Sequence, residues 1–280
     1  MNDEDHTIEK LTQIARELRI LALKAITEAK SGHPGGSLSA ADIVTTLFFH
    51  QMSHDPQNPH CPDRDRFVLS KGHGCPILYA ALAKAGYFPE SELLTTLRKV
   101  NSRIQGHPDH VRFPFMETSS GSLGQGLSIA QGMALAAQID KKKYKIYCLL
   151  GDGEIQEGQI WETAMSAPKY HLDNLIAIID ANKGQIDGYT KDVMNLSPLK
   201  QKWEAFNWEV QEINGHNFSE ILNAFNNTQK EQKKPHLIIA NTIKGKGVSF
   251  MENNIEWHGT APTPEQRDKA IQELTSEKYS

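Results

Sequence analysis

Tyr144-Lys-Ile-Tyr-Cys-Leu-Leu150 runs directly into Gly151-Asp152-Gly153-Glu154, and a second apolar run, Asn174-Leu-Ile-Ala-Ile-Ile-Asp180, ends just before Asn182. Both runs are short, rich in aliphatic residues and apolar on both faces, the pattern of buried parallel strands. Between them Glu157 to Tyr170 reads as a helix, long enough for a crossover connection, so the stretch predicts a βαβ unit. The unit brings Asp152 and Asn182 to the carboxyl ends of neighbouring strands, where open α/β sheets bind ligands. A carboxylate, an amide oxygen and a backbone carbonyl form a donor set for Mg²⁺, which prefers oxygen ligands completed by water and phosphate. Gly151 and Gly153 leave room for a diphosphate against the backbone. Gly-Asp-Gly alone is also an ordinary turn. At a strand end, with Asn after the next strand, it is far more specific.

The composition bounds what the chain does. Its 280 residues suffice for one large α/β domain, and 39% hydrophobic with 23% charged residues is ordinary for a soluble globular protein. A net charge of −4 gives no general attraction to nucleic acid or to an anionic membrane, so bound phosphate must be met by a local site. No apolar run reaches the length of a membrane span and no leader is evident, which predicts a cytoplasmic protein. Cys61, Cys75 and Cys148 are odd in number and lack a CxxC pair, which argues against disulfides or zinc; Cys75 and Cys148 read as packing residues.

Outward from the central unit, Ile8 to Ala29 carries an apolar stripe and predicts an amphipathic helix. It stops at Ser31-Gly-His-Pro-Gly-Gly36, which on its own reads as a terminator with a solvated histidine; a loop leaning His33 into a pocket is the alternative. Ser39-Ala-Ala-Asp42 resembles a capping box for a helix running through His50. Arg66 to Ser70 is a short strand followed by Lys71-Gly-His-Gly74 and a helix from Pro76, an arrangement that suits an anion at a helix start, or a turn histidine. Ser91 to Val100 reads as a surface helix, and His107 sits in a second Gly-His-Pro triplet. Glu117 to Gly126 is a Ser/Gly loop opening a small-residue helix, Leu127 to Ile139; a flexible linker has the same composition. Further on, Trp208 to Ile213 and His236 to Ala240 are strands, Pro198 to Phe206 and Phe218 to Gln229 helices, and Gln229 to Lys234 a solvated turn. His216 reads as structural. Lys244 and Lys246 lie between glycines without the spacing of a P-loop and are left out of the site. Glu154 reads as exposed at its loop, Glu157 as a carboxylate favouring a helix start. A last helix starts at Pro264.

GDGEIQEGQIWETAMSA followed by NLIAIIDANKGQIDG resembles the thiamine diphosphate motif of transketolases, with Asn after roughly 30 residues. SGHPGG, RFVLSKGHG, the second Gly-His-Pro, GSLGQG and the segment around His258 resemble further landmarks of that family, from about Ile8 to the last helix. The likeness covers the first half of a conventional transketolase and is closest to the N-terminal subunit of a split one. It implies a thiamine diphosphate-binding fold: a mostly parallel central sheet with helices on both faces, residues 1–280 forming a single diphosphate-binding domain.

It also implies roles. Asp152, Asn182 and the Gly184 carbonyl would hold Mg²⁺, with Ca²⁺ or Mn²⁺ as substitutes, and His73, Gly151 and Gly153 would meet the diphosphate. Gly121, Ser122 and Leu123 would contact the aminopyrimidine through the backbone; Ser122 replaces a proline of the family's GPLGQG, which loosens that loop. His33, His107 and His258 would face the substrate, His258 touching diphosphate as well, and Glu157 would lie at a subunit interface. The expected activity is transfer of a two-carbon ketol unit from a ketose phosphate to an aldose phosphate. The family's ring-protonating glutamate lies on a pyrimidine-binding domain that no stretch here resembles. The expected partner is therefore a separate C-terminal subunit, with self-association into a heterotetramer and no role for nucleic acid or membrane. A 1-deoxyxylulose-5-phosphate synthase-like enzyme, a specialised pentose-phosphate transketolase and a non-catalytic binding paralogue remain as alternatives.

Overall fold

The computed structural model describes residues 3–230 and 233–276; residues 231 and 232 of the expected lysine-containing turn and the last four residues lie outside the described ones. Among the described residues seven strands form, β1 (Arg66–Leu69), β2 (Ile146–Gly151), β3 (Leu175–Ala181), β4 (Gly184–Gln185), β5 (Gly188–Tyr189), β6 (Glu209–Asn214) and β7 (His236–Asn241). The helices are α1 (Asp3–Ala29), α2 (Pro34–Ser39), α3 (Ala41–Thr46), α4 (Cys75–Ala85), α5 (Glu90–Thr96), α6 (Gln125–Ile139), α7 (Gly158–Lys169), α8 (Thr190–Val193), α9 (Leu199–Ala205), α10 (Phe218–Asn227) and α11 (Pro264–Thr275).

The five long strands make one parallel sheet in the order β1-β2-β3-β7-β6, and β4 and β5 pair as a small antiparallel hairpin. The apolar runs are buried on both faces because alternate residues serve different cores. Phe67, Leu69, Tyr147, Leu149, Ile176, Ile178 and Ile238 pack among α1, α3, α4 and α10. Val68, Ile146, Cys148, Leu150, Leu175, Ala177 and Ile179 pack under α6, α7 and α9. Cys75 and Cys148 are fully buried in these cores, as packing residues are. The edge strand β6 is only partly covered and carries Glu209 and Glu212, charges that discourage a further strand from pairing there.

Because the sheet is parallel, the turns after β1, β2, β3 and β7 all emerge at one edge, Gly151 standing level with Asp180 and Asp180 with Ala240. Buried ion pairs lock that edge. Lys71 Nζ bonds Asp180 Oδ2 at 2.5 Å and the Gly36 carbonyl at 3.0 Å, and Asp180 also accepts from Ser39 Oγ, Thr242 Oγ1 and Asn182 Nδ2. Burial opposes the charge of Asp180, but the Lys71 ammonium and these donors outweigh it and hold its carboxyl below the usual carboxylate range. Nearby, Arg19 grips Asp42 through two bonds of 2.8 and 2.7 Å, and His216 reaches the same carboxylate at 2.7 Å while its Nε2 accepts the Ile243 amide. Burial again works against Asp42, yet Arg19 and His216 keep it at about 2. His216 is thus structural.

Three local expectations change. Ser39 caps nothing: it ends α2, and its hydroxyl is drawn to Asp180, an acceptor brought near only by the fold. The expected helix up to His50 exists as α3 continued by a wider turn over Leu47–Gln51. The helix expected over Ser91 to Val100 stops at Thr96, because Arg98 takes a positive φ of 59° and turns its guanidinium inward.

Candidate active site

Each histidine is delivered by a local device. Pro34 at the start of α2 keeps the residue before it out of the helical region, and His33 sits at φ −119°, ψ 83°. His107 likewise precedes a proline. His73 occupies a tight turn between β1 and α4, and His258 ends a turn over Ile255–His258. Four segments remote in sequence thereby place four imidazoles together, with ring centroids 5.3 Å apart for His33 and His73, 6.3 Å for His33 and His107, 5.6 Å for His33 and His258, and 5.1 Å for His73 and His258.

These rings line a cavity of about 300 Å³ together with Gly121, Leu123, Gly151, Asp152, Gly153, Glu157, Asn182 and Gly184. Every residue expected in the site borders it except Ser122, which is exposed on the outer side of its loop. Gly121 and Gly124 bend that loop at φ 135° and 85°, and a Cβ on Gly124 would stand 2.7 Å from Glu157 Cβ, so only glycine fits there. Glu157 occupies the N-cap position of α7, exposed and without a capping bond.

Three buried, charged lining residues escaped the sequence reading. Lys244 is 1% exposed and sends its Nζ into the site, 3.2 Å from the Gly184 carbonyl and 3.1 Å from His258 Nδ1. Its place in a Lys-Gly-Lys-Gly run suggested a solvent loop; a Gly35 Cβ would meet its stem at 3.0 Å, a close approach no local pattern announces. Lys71, beside His73 in sequence, is equally buried. Glu154, expected at the surface, is 2% exposed, because Ser70 Oγ and the amides of Gly124 and Gly151 all donate to it. Lys246 stays outside, paired with Glu252.

The electrostatics favour an anion accompanied by a cation. Burial and nearby Lys71 push Lys244 down to about 8. Burial and the neighbouring Asp180 push Asp152 up to about 6, against the Lys183 amide bond that lowers it. A carboxylate held in this way gains from a divalent cation. The donor set fits one: Asp152 carboxylate, Asn182 Oδ1 and the Gly184 carbonyl are hard oxygens with lone pairs beyond those taken by Gly153, Lys183 and Gly184 amides, and the Lys244 ammonium already lies against one of them.

The histidines are neutral near pH 7. Burial, then Arg98, pushes His33 down to about 4; burial, then Lys244, pushes His258 down to about 3; burial lowers His73 and His107 as well. Arg98 donates to His33 Nδ1 at 3.3 Å and Lys244 to His258 Nδ1, so each ring carries its hydrogen on Nε2, free to donate to a substrate oxygen. His236 in the core is also held at about 4 by burial, and neither of its ring nitrogens finds a partner. These groups take up protons more readily unfolded than folded. Their contribution is therefore present above pH 6.5 and lost as the pH falls toward 4. The urea midpoint is expected to drop across that window and His236→Leu to flatten the drop; an equal slope in wild type and variant would refute the assignment.

Fold and cavity together define an α/β chain with a polar cavity, lined by oxygen donors and imidazoles, at the carboxyl edge of a parallel sheet. Residues 10–278 match the thiamine diphosphate binding domain of transketolase. The chain is 50% identical over 263 residues to the 6-deoxy-6-sulfo-D-fructose transketolase subunit SqwG of Clostridium sp. (strain MSTE9), covering 94% of this chain and 95% of that one. It is 43% identical over 268 residues to an apulose-4-phosphate transketolase subunit of Phocaeicola vulgatus, covering 96% and 95%. The solved transketolase from Campylobacter jejuni superposes with a TM-score of 0.91 at 37% identity, over 98% of this chain and 43% of that one. The chain belongs to the transketolase family, of which it carries the thiamine diphosphate-binding fold.

Proposed function

We propose that the chain, acting as a single thiamine diphosphate domain, is one subunit of a two-chain transketolase that moves a two-carbon ketol unit from a ketose phosphate or related anionic sugar to an aldose acceptor. The observation that carries this reading is the convergence of Asp152, Asn182, the Gly184 carbonyl and four histidines on one cavity. Bound there, thiamine diphosphate would supply the carbanion chemistry that breaks and forms the carbon–carbon bond. The chain's own groups position and move protons. Asp152, Asn182 and the Gly184 carbonyl hold Mg²⁺, which Ca²⁺ or Mn²⁺ can replace. His73, Gly151, Gly153 and Lys244 face the diphosphate, and the Gly121–Leu123 backbone faces the ring. His33, His107 and His258 would present neutral imidazoles to the sugar hydroxyls, His33 and His258 as Nε2–H donors and His107 as the group that accepts a proton as a hydroxyl becomes a carbonyl.

The partner is a separate C-terminal subunit carrying the pyrimidine-binding domain, and Glu157 belongs to the contact between halves, in a heterotetramer. Free buried thiols at Cys75 and Cys148 support placement in the cytoplasm. Two relatives of nearly this length are named for a sulfosugar and for apulose-4-phosphate, so the donor panel begins with 6-deoxy-6-sulfo-fructose, apulose 4-phosphate and the common pentose phosphates. Co-purification from the source cell, followed by ketol transfer with added cofactor and Mg²⁺, tests the proposal; a pure complex inactive on the whole panel would count against it.

Lys244 provides a sharper local test. Lys244→Met is expected to raise the thiamine diphosphate concentration for half-maximal rate about 10-fold, the loss of one hydrogen bond to a charged group, whereas Lys246→Met leaves it unchanged. Equal effects of the two variants would remove Lys244 from the site.

A further inference from the structure

Three segments that line the cavity come from distant parts of the chain: the turn after β1 that carries His73, the Gly121–Gly124 loop that opens α6, and the Gly151–Gly153 turn after β2. One side chain with no part in the proposed chemistry joins all three. Glu154 Oε1 accepts from Ser70 Oγ and, at 3.0 Å, from the Gly124 amide; Oε2 accepts the Gly151 amide at 2.9 Å. We propose that Glu154 is a positioning residue, a buried carboxylate brace that fixes these three loops in register so that a cofactor lying across them meets a preformed surface. The inference rests on the reading that thiamine diphosphate spans these loops.

The donor count explains why a carboxylate stands there. Three hydrogens converge on two oxygens, and only an ionised carboxylate accepts on both and donates on neither. A glutamine would have one oxygen for the Ser70 and Gly124 donors, and its amino group would face the Gly151 N–H, donor against donor. The left-handed bend at Gly124, φ 85°, is what turns its N–H toward Glu154. The surroundings leave the loops little slack: a Cβ on Gly126 would lie 2.4 Å from Ser70 Oγ, and one on Gly72 2.7 Å from the Gly121 amide nitrogen. With the packing so close, one lost tie displaces a binding surface by a fraction of an ångström while the sheet beneath stays intact. Displacements of that size weaken preorganised sites.

Two readouts on Glu154→Gln test this. Amide exchange of the full chain, followed by NMR without cofactor, is expected to accelerate at least about 10-fold at Gly124 and Gly151 and to stay unchanged at Ile178 and Ile239 in the sheet, since these two amides lose a buried acceptor. With the second chain of the complex present, the thiamine diphosphate concentration for half-maximal rate is expected to rise about 10-fold, with kcat largely recovered at saturation, because the bound cofactor itself holds the three loops in register. Exchange that accelerates throughout the sheet, or a half-saturation that stays put, would overturn the proposal. If the wild-type complex showed no cofactor-dependent turnover, the functional reading would fall; the brace would then stand or fall on the two amides alone.

Discussion

Assayed without its partner, the purified chain is expected to show no measurable ketol transfer at any cofactor concentration, and an equimolar second subunit should restore it. The cavity explains the size of the effect. Its floor is complete, with the oxygen donors and His33, His73 and His258 at least partly buried, but its rim is bare: Ile186 is 70% exposed, and His107 and Glu157 also face solvent. A site open to water loses the gain in electrostatic strength that exclusion of solvent provides. The family resemblance also assigns a glutamate to the other half, and a general acid or base of that kind contributes about 100- to 10,000-fold. The two deficits multiply. Titrating the second chain into the first while following aldose-dependent turnover gives the result directly, and steady turnover by this chain alone would refute the two-chain reading.

Asp152→Asn carries the second large effect. In the complex it is expected to lower turnover by about 100- to 1,000-fold, the usual loss when one preorganised charged contact is removed from a site of this kind. Both oxygens of Asp152 are held by backbone amides of Gly153 and Lys183, so the carboxylate is aimed before any cation arrives. An amide in its place offers one oxygen and no charge. Without cofactor, the same change leaves a different mark. Burial and Asp180 raise Asp152 to about 6, above its value in the unfolded chain, so its ionisation works against folding as the pH rises from about 4 through 6. The variant should gain stability relative to wild type over that window, on the order of 1–2 kcal/mol once the solvent at the cavity mouth is allowed for. Denaturant midpoints at pH 4 and pH 7 supply the comparison, and a difference that does not change with pH would show that Asp152 is not the strained group described.

Residues that belong to strongly periodic runs read correctly in isolation. Ile146 to Gly151 and Leu175 to Ala181 are strands because short, continuous apolar runs suit a parallel sheet covered on both faces, and α1 is a helix because its stripe repeats with the helical period. Asp152 and Asn182 were legible as a pair because parallel strands put successive turns on the same edge. Lys244 and Glu154 were not legible. Both are charged residues beside glycines, the commonest composition of a solvated loop, and what buries them is contact with Gly35 and Gly184 in one case and with Ser70 and Gly124 in the other. Ser39 fails in the same way, its cap-like spacing overruled by an aspartate 141 residues away.

The order of residues alone determined the α/β class and the family, because strand and helix periodicities and a short oxygen-rich motif are local and survive without knowledge of the rest. Tertiary structure alone decided which charges are inside. Burial of Lys71, Lys244, Glu154 and Asp180 depends on several chain segments closing around each, and the charge of a buried group persists only where those segments bring its partners.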